Sequence, residues 1–115
     1  SELSIRRKIA ANYLKNVKNS KLTLPLKDKN QNPAWHLFVI MTNNRVKLIN
    51  FLKKNGIQTM IHYPIPPHKQ KAFKNLNKKT YLITERIHRE ILSIPLSPIL
   101  SDKEQKKIID TLNRF

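Results

Sequence analysis

Gly56-Ile57-Gln58-Thr59-Met60-Ile61-His62-Tyr63-Pro64-Ile65-Pro66-Pro67-His68 decides how the chain is read, because it holds the only glycine and three of the seven prolines. The short apolar run Ile57 to Ile61 predicts a strand. Proline fixes φ and removes a backbone donor, so residues 62–68 can form neither an ordinary helix nor a central strand. Residues that precede proline are also biased toward extended conformations. The stretch therefore predicts a stiff, extended loop that leaves a β-strand and holds two imidazoles and a phenol in place. Low-entropy presentation of titratable groups suits a binding or catalytic site. Three plainer readings compete. Pro64-x-x-Pro67 is a minimal polyproline ligand. His62 and His68 could hold a metal, but their spacing fits no helix or strand face, and no cysteine and few carboxylates stand near to complete a shell. The stretch could also be a rigid turn with exposed histidines.

Working outward toward the N-terminus, Arg45 to Asn55 carries Leu48, Ile49, Phe51 and Leu52 at helical spacing. Thr42, Asn43 and Asn44 are candidate N-caps, and Gly56 fits a left-handed C-cap. Pro33 to Met41 is apolar on both parities apart from His36, which predicts a strand buried on both faces with His36 hydrogen-bonded inside the fold. Lys21 to Asn32 reads as a polar connection. Ser4 to Lys18 places Ile5, Ile9 and Tyr13, with Ala10, Leu14 and Val17 beside them, on one face of an amphipathic helix. No capping signal precedes Ser4.

Toward the C-terminus, His68 to Asn75 reads as a short helix or turn and Tyr81 to Arg89 as a helix. Glu90 to Ile94 is a short strand closed by Pro95. Ser101-Asp102-Lys103-Glu104 has capping-box spacing, and Ile108, Ile109, Leu112 and Phe115 form the apolar stripe of a last helix. The fold class predicted is α+β, with a small antiparallel or mixed sheet of about three strands flanked by helices.

Length and composition bound what such a fold can be. A chain of 115 residues suits one domain with a real core. It has no cysteine, hence no disulfide framework, thiolate nucleophile or zinc knuckle. No apolar run approaches the ~18 residues of a membrane span, and Ser1 to Arg7 is no signal peptide. A soluble, cytoplasmic protein without membrane contact is expected. The formal charge of +16, from 23 basic and 7 acidic side chains, favours an anionic partner. The lysines are scattered, however, and abundant lysine, asparagine and isoleucine would also follow from AT-rich coding. A basic nucleic-acid-binding module would explain the charge. It would not explain the proline-histidine stretch, and the aromatics lie in apolar runs rather than on a basic face.

The ordered set of motifs carries a resemblance. It comprises the Arg6-Arg7 helix, Ala34-Trp35-His36-Leu37-Phe38-Val39-Ile40, Arg45 with Leu48, and Gly56-Ile57-Gln58-Thr59. It continues with His62-Tyr63-Pro64-x-Pro66-x-His68-x-Gln70-x-Ala72-Phe73, Glu85, and Ile91-Leu92-Ser93-Ile94-Pro95-Leu96-Ser97-Pro98 followed by Leu100-Ser101. In order and spacing this resembles the C-terminal small domain of the DegT/DnrJ/EryC1/StrS aminotransferases, enzymes of fold type I. Nearly the whole chain takes part. The sequence departs from the family pattern at Val46-Lys47 and at Lys78-Lys79-Thr80.

The resemblance implies a parent enzyme that uses pyridoxal phosphate to move an amino group, from glutamate, to a nucleotide-linked keto-sugar, and that works as a homodimer. It implies that residues 1–115 are one domain of that enzyme, with 1–18 the remainder of an inter-domain helix. The Schiff-base lysine, the acidic partner of the pyridine nitrogen and the phosphate cradle would belong to a missing N-terminal domain. This chain alone would then hold no catalytic residue, no metal and no cofactor, and would be inert. Carried over by motif, His62, Tyr63 and His68 would face the substrate pocket, where imidazole and phenol suit sugar hydroxyls or diphosphate oxygens. A non-catalytic scaffold derived from the small domain is the other outcome compatible with the same motifs.

Overall fold

The computed structural model describes residues 1–25, 35–61, 86 and 89–115. Its named elements are α1 (Glu2–Asn16), β1 (Phe38–Met41), α2 (Arg45–Lys54), β2 (Ile91–Ile94) and α3 (Asp102–Arg114). The fold is α+β. β1 and β2 pair antiparallel, with Phe38 opposite Ile94 and Met41 opposite Ile91.

Backbone groups of alternate residues in a strand point to opposite edges, and both outer edges of this pair are used. Met41 exchanges hydrogen bonds of 2.8 and 2.9 Å with Thr23, and Ser93 exchanges bonds of 2.8 and 3.1 Å with Met60. Among the described residues the sheet thus has two strands rather than about three. Residues 57–61 join it through the single antiparallel bridge Met60–Ser93. The connection after α1 is less polar in effect than its composition suggests, since Leu22 is buried and Thr23 makes the bridge on the other edge.

Each helix end has a local cause. α1 begins at Glu2, two residues before the predicted start, because the Ser1 hydroxyl accepts a 3.3 Å bond from the Ser4 N–H. α2 closes in a Schellman motif. Gly56 N–H bonds the Lys53 carbonyl at 3.0 Å and Ile57 N–H bonds the Leu52 carbonyl at 2.8 Å. Gly56 takes the φ of +79° that this motif requires, and Ile57 is buried beside it. α3 opens on a complete capping box, with Ser101 and Glu104 bonding reciprocally at 3.1 Å. The amphipathic reading of α3 holds, as Ile108, Ile109 and Leu112 are buried.

The core lies where α1, α2 and α3 meet the sheet. Tyr13, Phe38, Ile40, Leu48, Leu52, Leu92 and Leu112 are fully buried. The Tyr13 and Phe38 rings meet edge to face, 5.1 Å apart at 77°. Trp35 stacks on Phe38 at 5.5 Å and 26°.

The strand predicted over Pro33 to Met41 is shorter. It starts at Phe38, and its inward residues Phe38 and Ile40 are buried while Val39 and Met41 are half-covered. Trp35 holds a φ of +49°, a left-handed conformation that interrupts an extended run and is strained for a bulky residue. His36 is correspondingly exposed rather than enclosed in a buried strand. Of the helix predicted over Tyr81 to Arg89, Arg86 and Arg89 are helical, as is Glu90. The rest of that helix, and the short helix or turn at His68 to Asn75, lie outside the described residues.

Candidate functional site

His62, Tyr63 and His68 lie outside the described residues, so the site is built from the elements that frame them. Met60 faces Ser93 antiparallel, so residues 57–61 run against β2 and Ile61 heads toward its Ile91 end. That end of the sheet also carries the turn into α2. There the Thr42 N–H bonds the Glu90 carbonyl at 3.0 Å, and the Arg45 guanidinium reaches the Ile91 carbonyl at 3.4 Å. Asn44 caps α2 without a side-chain bond. Its own N–H donates instead to Thr42 Oγ1 at 3.2 Å.

A groove of about 700 Å³ opens at this end, lined by Asn43, Asn44, Arg45, Val46, Lys47, Arg86, Arg89 and Glu90. Glu90 is nearly buried and pairs with Arg86 at 2.6 Å. The first turn of α2 contains no acidic residue. The arrangement gives a basic, open groove with donors on both walls, suited chemically to holding an anion.

A second cluster fixes α1 to the strand exits. The Tyr13 hydroxyl donates to the Pro95 carbonyl at 2.7 Å. Arg6 donates to the Leu96 carbonyl at 2.8 Å and, at 3.5 Å, to that of His36. Burial pushes the Tyr13 phenol far above its ordinary range, and the charge of Glu104 adds to this. Arg6 belongs to the helix whose Arg6-Arg7 pair carries the family resemblance. Its partners are backbone carbonyls, which leave no trace in side-chain patterns. Sequence reasoning missed Arg86 and Arg89, whose shared groove with Arg45 and Lys47 depends on which helix meets which strand end.

The described residues do not fit pyridoxal phosphate. That cofactor needs an imine-forming lysine, a carboxylate at the ring nitrogen and a phosphate cradle. Gly56, the only glycine, is committed to the end of α2, where an added Cβ would lie 3.2 Å from Lys107 Nζ. Glu90 is held by Arg86 and Glu104 by the Ser101 N–H, while Asp102 and Asp110 are exposed on α3. Among the described residues no group of three or more histidine, cysteine or acidic side chains could hold a metal ion. No helix among them is long and apolar enough to cross a membrane.

Residues 1–113 match the profile of the DegT/DnrJ/EryC1/StrS aminotransferase family. The chain belongs to this family. A family relative, the dTDP-3-amino-3,6-dideoxy-alpha-D-galactopyranose transaminase of Aneurinibacillus thermoaerophilus, is 42% identical over 110 residues, covering 96% of this chain and 30% of the relative. A DegT DnrJ EryC1 StrS aminotransferase structure from Brucella abortus superposes with a TM-score of 0.83 at 31% identity, over 99% of this chain and 31% of the other. A Bacillus subtilis protein, solved with bound cofactor PMP, superposes with a TM-score of 0.75 at 25% identity, over 96% of this chain and 27% of the other. The chain thus spans about 30% of the length of the curated aminotransferase it matches.

Proposed function

We propose that this chain is the C-terminal small domain of a pyridoxal-phosphate-dependent aminotransferase that transfers an amino group from glutamate to a nucleotide-linked keto-sugar. One observation carries the reading: almost every residue aligns with a dTDP-sugar transaminase at 42% identity, yet the alignment spans 30% of that enzyme. The cofactor, seen as PMP in the Bacillus subtilis structure, would sit on the portion of the parent that this chain does not contain. It would supply the electron sink for the transfer.

In this reading the small domain acts as a lid. His62, Tyr63 and His68 would present donors to the sugar or its diphosphate from a loop stiffened by Pro64, Pro66 and Pro67. Residues 1–18 would continue an inter-domain helix, held to the lid by Tyr13 and Arg6. The parent would act in the cytoplasm as a homodimer.

A chimera tests the proposal. The matching segment of the Aneurinibacillus transaminase is replaced by residues 1–115, and amino transfer to its dTDP-linked keto-sugar is followed. Transfer with glutamate as donor, falling at least about tenfold in His68→Ala or Tyr63→Phe through loss of charge-assisted or buried hydrogen bonds, supports the reading. A folded, cofactor-binding chimera without transfer overturns it. Transfer indifferent to both substitutions removes the site assignment.

A further inference from the structure

We propose that the groove at the Ile91 end of the sheet is a diphosphate-binding site, with Lys47 and Arg89 as its principal contacts and Arg45 and Arg86 beside them. The inference deepens the nucleotide-sugar reading and rests on it for the source of the diphosphate.

Residue type gives the first argument. Lysine outnumbers arginine 17 to 6 in this chain, so basic charge defaults to lysine. Three of the six arginines nevertheless line one groove. Guanidinium differs from ammonium in offering a planar fork that meets two phosphate oxygens at once. The clustering is therefore poorly explained by the lysine-rich composition alone.

Charge gives the second. Among the described residues that line the groove there is one carboxylate, Glu90, and it is already paired with Arg86 at 2.6 Å. Lys47 and Arg89 are exposed and have no hydrogen-bond or ion-pair partner among the described residues. The outer face of α3 is the contrast. Lys103, Lys106, Lys107 and Arg114 there alternate with Glu104 and Asp110, the mixed pattern of a solvated face. The groove has the opposite character: among its described residues four cations line a concave surface with a single, committed acid.

Position gives the third. Ile61, the residue before the His62-Tyr63-Pro64 stretch, ends its run beside β2 at this same end of the sheet. A diphosphate in the groove would place the sugar it carries close to where that stretch begins.

The test titrates the 115-residue chain with inorganic pyrophosphate and, separately, with dTDP, following backbone amide shifts at low and high salt. Lys47→Gln/Arg89→Gln is compared with Lys103→Gln/Lys106→Gln, which removes equal charge from α3, and circular dichroism checks that each variant is folded. The expected result is saturable binding of both ligands, centred on residues 43–47 and 89–91 and weakened by salt. It falls about tenfold or more in the groove variant, as for loss of charge-assisted hydrogen bonds, and little in the α3 variant. Equal loss in both variants means diffuse attraction and overturns the site, as does the absence of saturation. Duplex DNA competing more strongly than either ligand, with the same sensitivity to the groove variant, overturns it in favour of nucleic acid. Pyrophosphate binding in the groove without a gain for dTDP supports the diphosphate site while giving no nucleotide preference. The nucleotide-sugar reading itself fails or stands on the chimera assay, independently of this titration.

Discussion

The Tyr13 hydroxyl donates to the Pro95 carbonyl at 2.7 Å, joining residues 82 apart in the chain. The ring above that hydroxyl packs edge-on against Phe38. One side chain thus ties α1 to both strands, by packing to the start of β1 and by hydrogen bond to the residue after β2. A phenol in this place keeps its proton, because burial disfavours the charged form.

Tyr13→Phe keeps the ring and removes the bond. It leaves the Pro95 carbonyl without this donor, and we expect a loss of about 1–2 kcal/mol in urea unfolding. The same residue sets an alkaline limit. Its pKa is raised in the folded state relative to the unfolded chain, so its stabilisation is complete below the ordinary phenol range near pH 10 and declines as pH rises above it. Wild-type stability measured from pH 8 upward should bend downward there, and Tyr13→Phe should show a weaker bend. Identical curves would remove the assignment.

Gly56→Ala adds a Cβ to a residue at φ +79° and directs it to within 3.2 Å of Lys107 Nζ. The lysine tip can move, so backbone strain is the main cost, about 1–2 kcal/mol. Thermal unfolding of Gly56→Ala against wild type checks this. Gly56→Asn, which tolerates left-handed backbone better, should lose less.

Ser101→Ala removes one half of the capping box and should cost about 1 kcal/mol. The Glu104 carboxyl is held below its ordinary pKa by the Ser101 backbone N–H first and by its hydroxyl second. A depressed carboxyl stabilises the fold above its unfolded pKa, and that contribution fades as pH falls through the carboxylate range. NMR titration of Glu104 should therefore show a low midpoint in wild type that rises in Ser101→Ala.

Phe38→Ala removes the ring shared by Tyr13 and Trp35. Truncation of a fully buried phenylalanine costs about 3–5 kcal/mol, enough to unfold many small domains. Leu37→Ala, one position earlier and 45% exposed, should change chemical stability by about 0.5 kcal/mol or less.

Local chemistry was written plainly in the chain. The Ser101-x-x-Glu104 spacing became a complete capping box, Gly56 became the turn after α2, and the stripe Ile108, Ile109, Leu112 became the buried face of α3. These signals act within a few residues, where hydrogen-bonding partners are neighbours in sequence. The Ser1 cap acts on the same terms and starts α1 at Glu2, two residues before the Ser4 start that the apolar pattern predicts. Trp35 shows the opposite case. Its apolar neighbours suggest a continuing strand, and its stacking on Phe38 accompanies a left-handed turn that no periodicity announces.

The sequence by itself determined the α+β class, the end of α2, the start of α3 and, through the order of its motifs, membership of an aminotransferase family. Only the tertiary structure decided that Arg6 grips backbone carbonyls, that Met60 and Thr23 extend opposite edges of the sheet, and that Arg45, Lys47, Arg86 and Arg89 share one groove. The physical reason is range. Caps, turns and amphipathic stripes are settled by interactions between residues a few positions apart, whereas a groove is made by surfaces that meet only after the chain has folded back on itself.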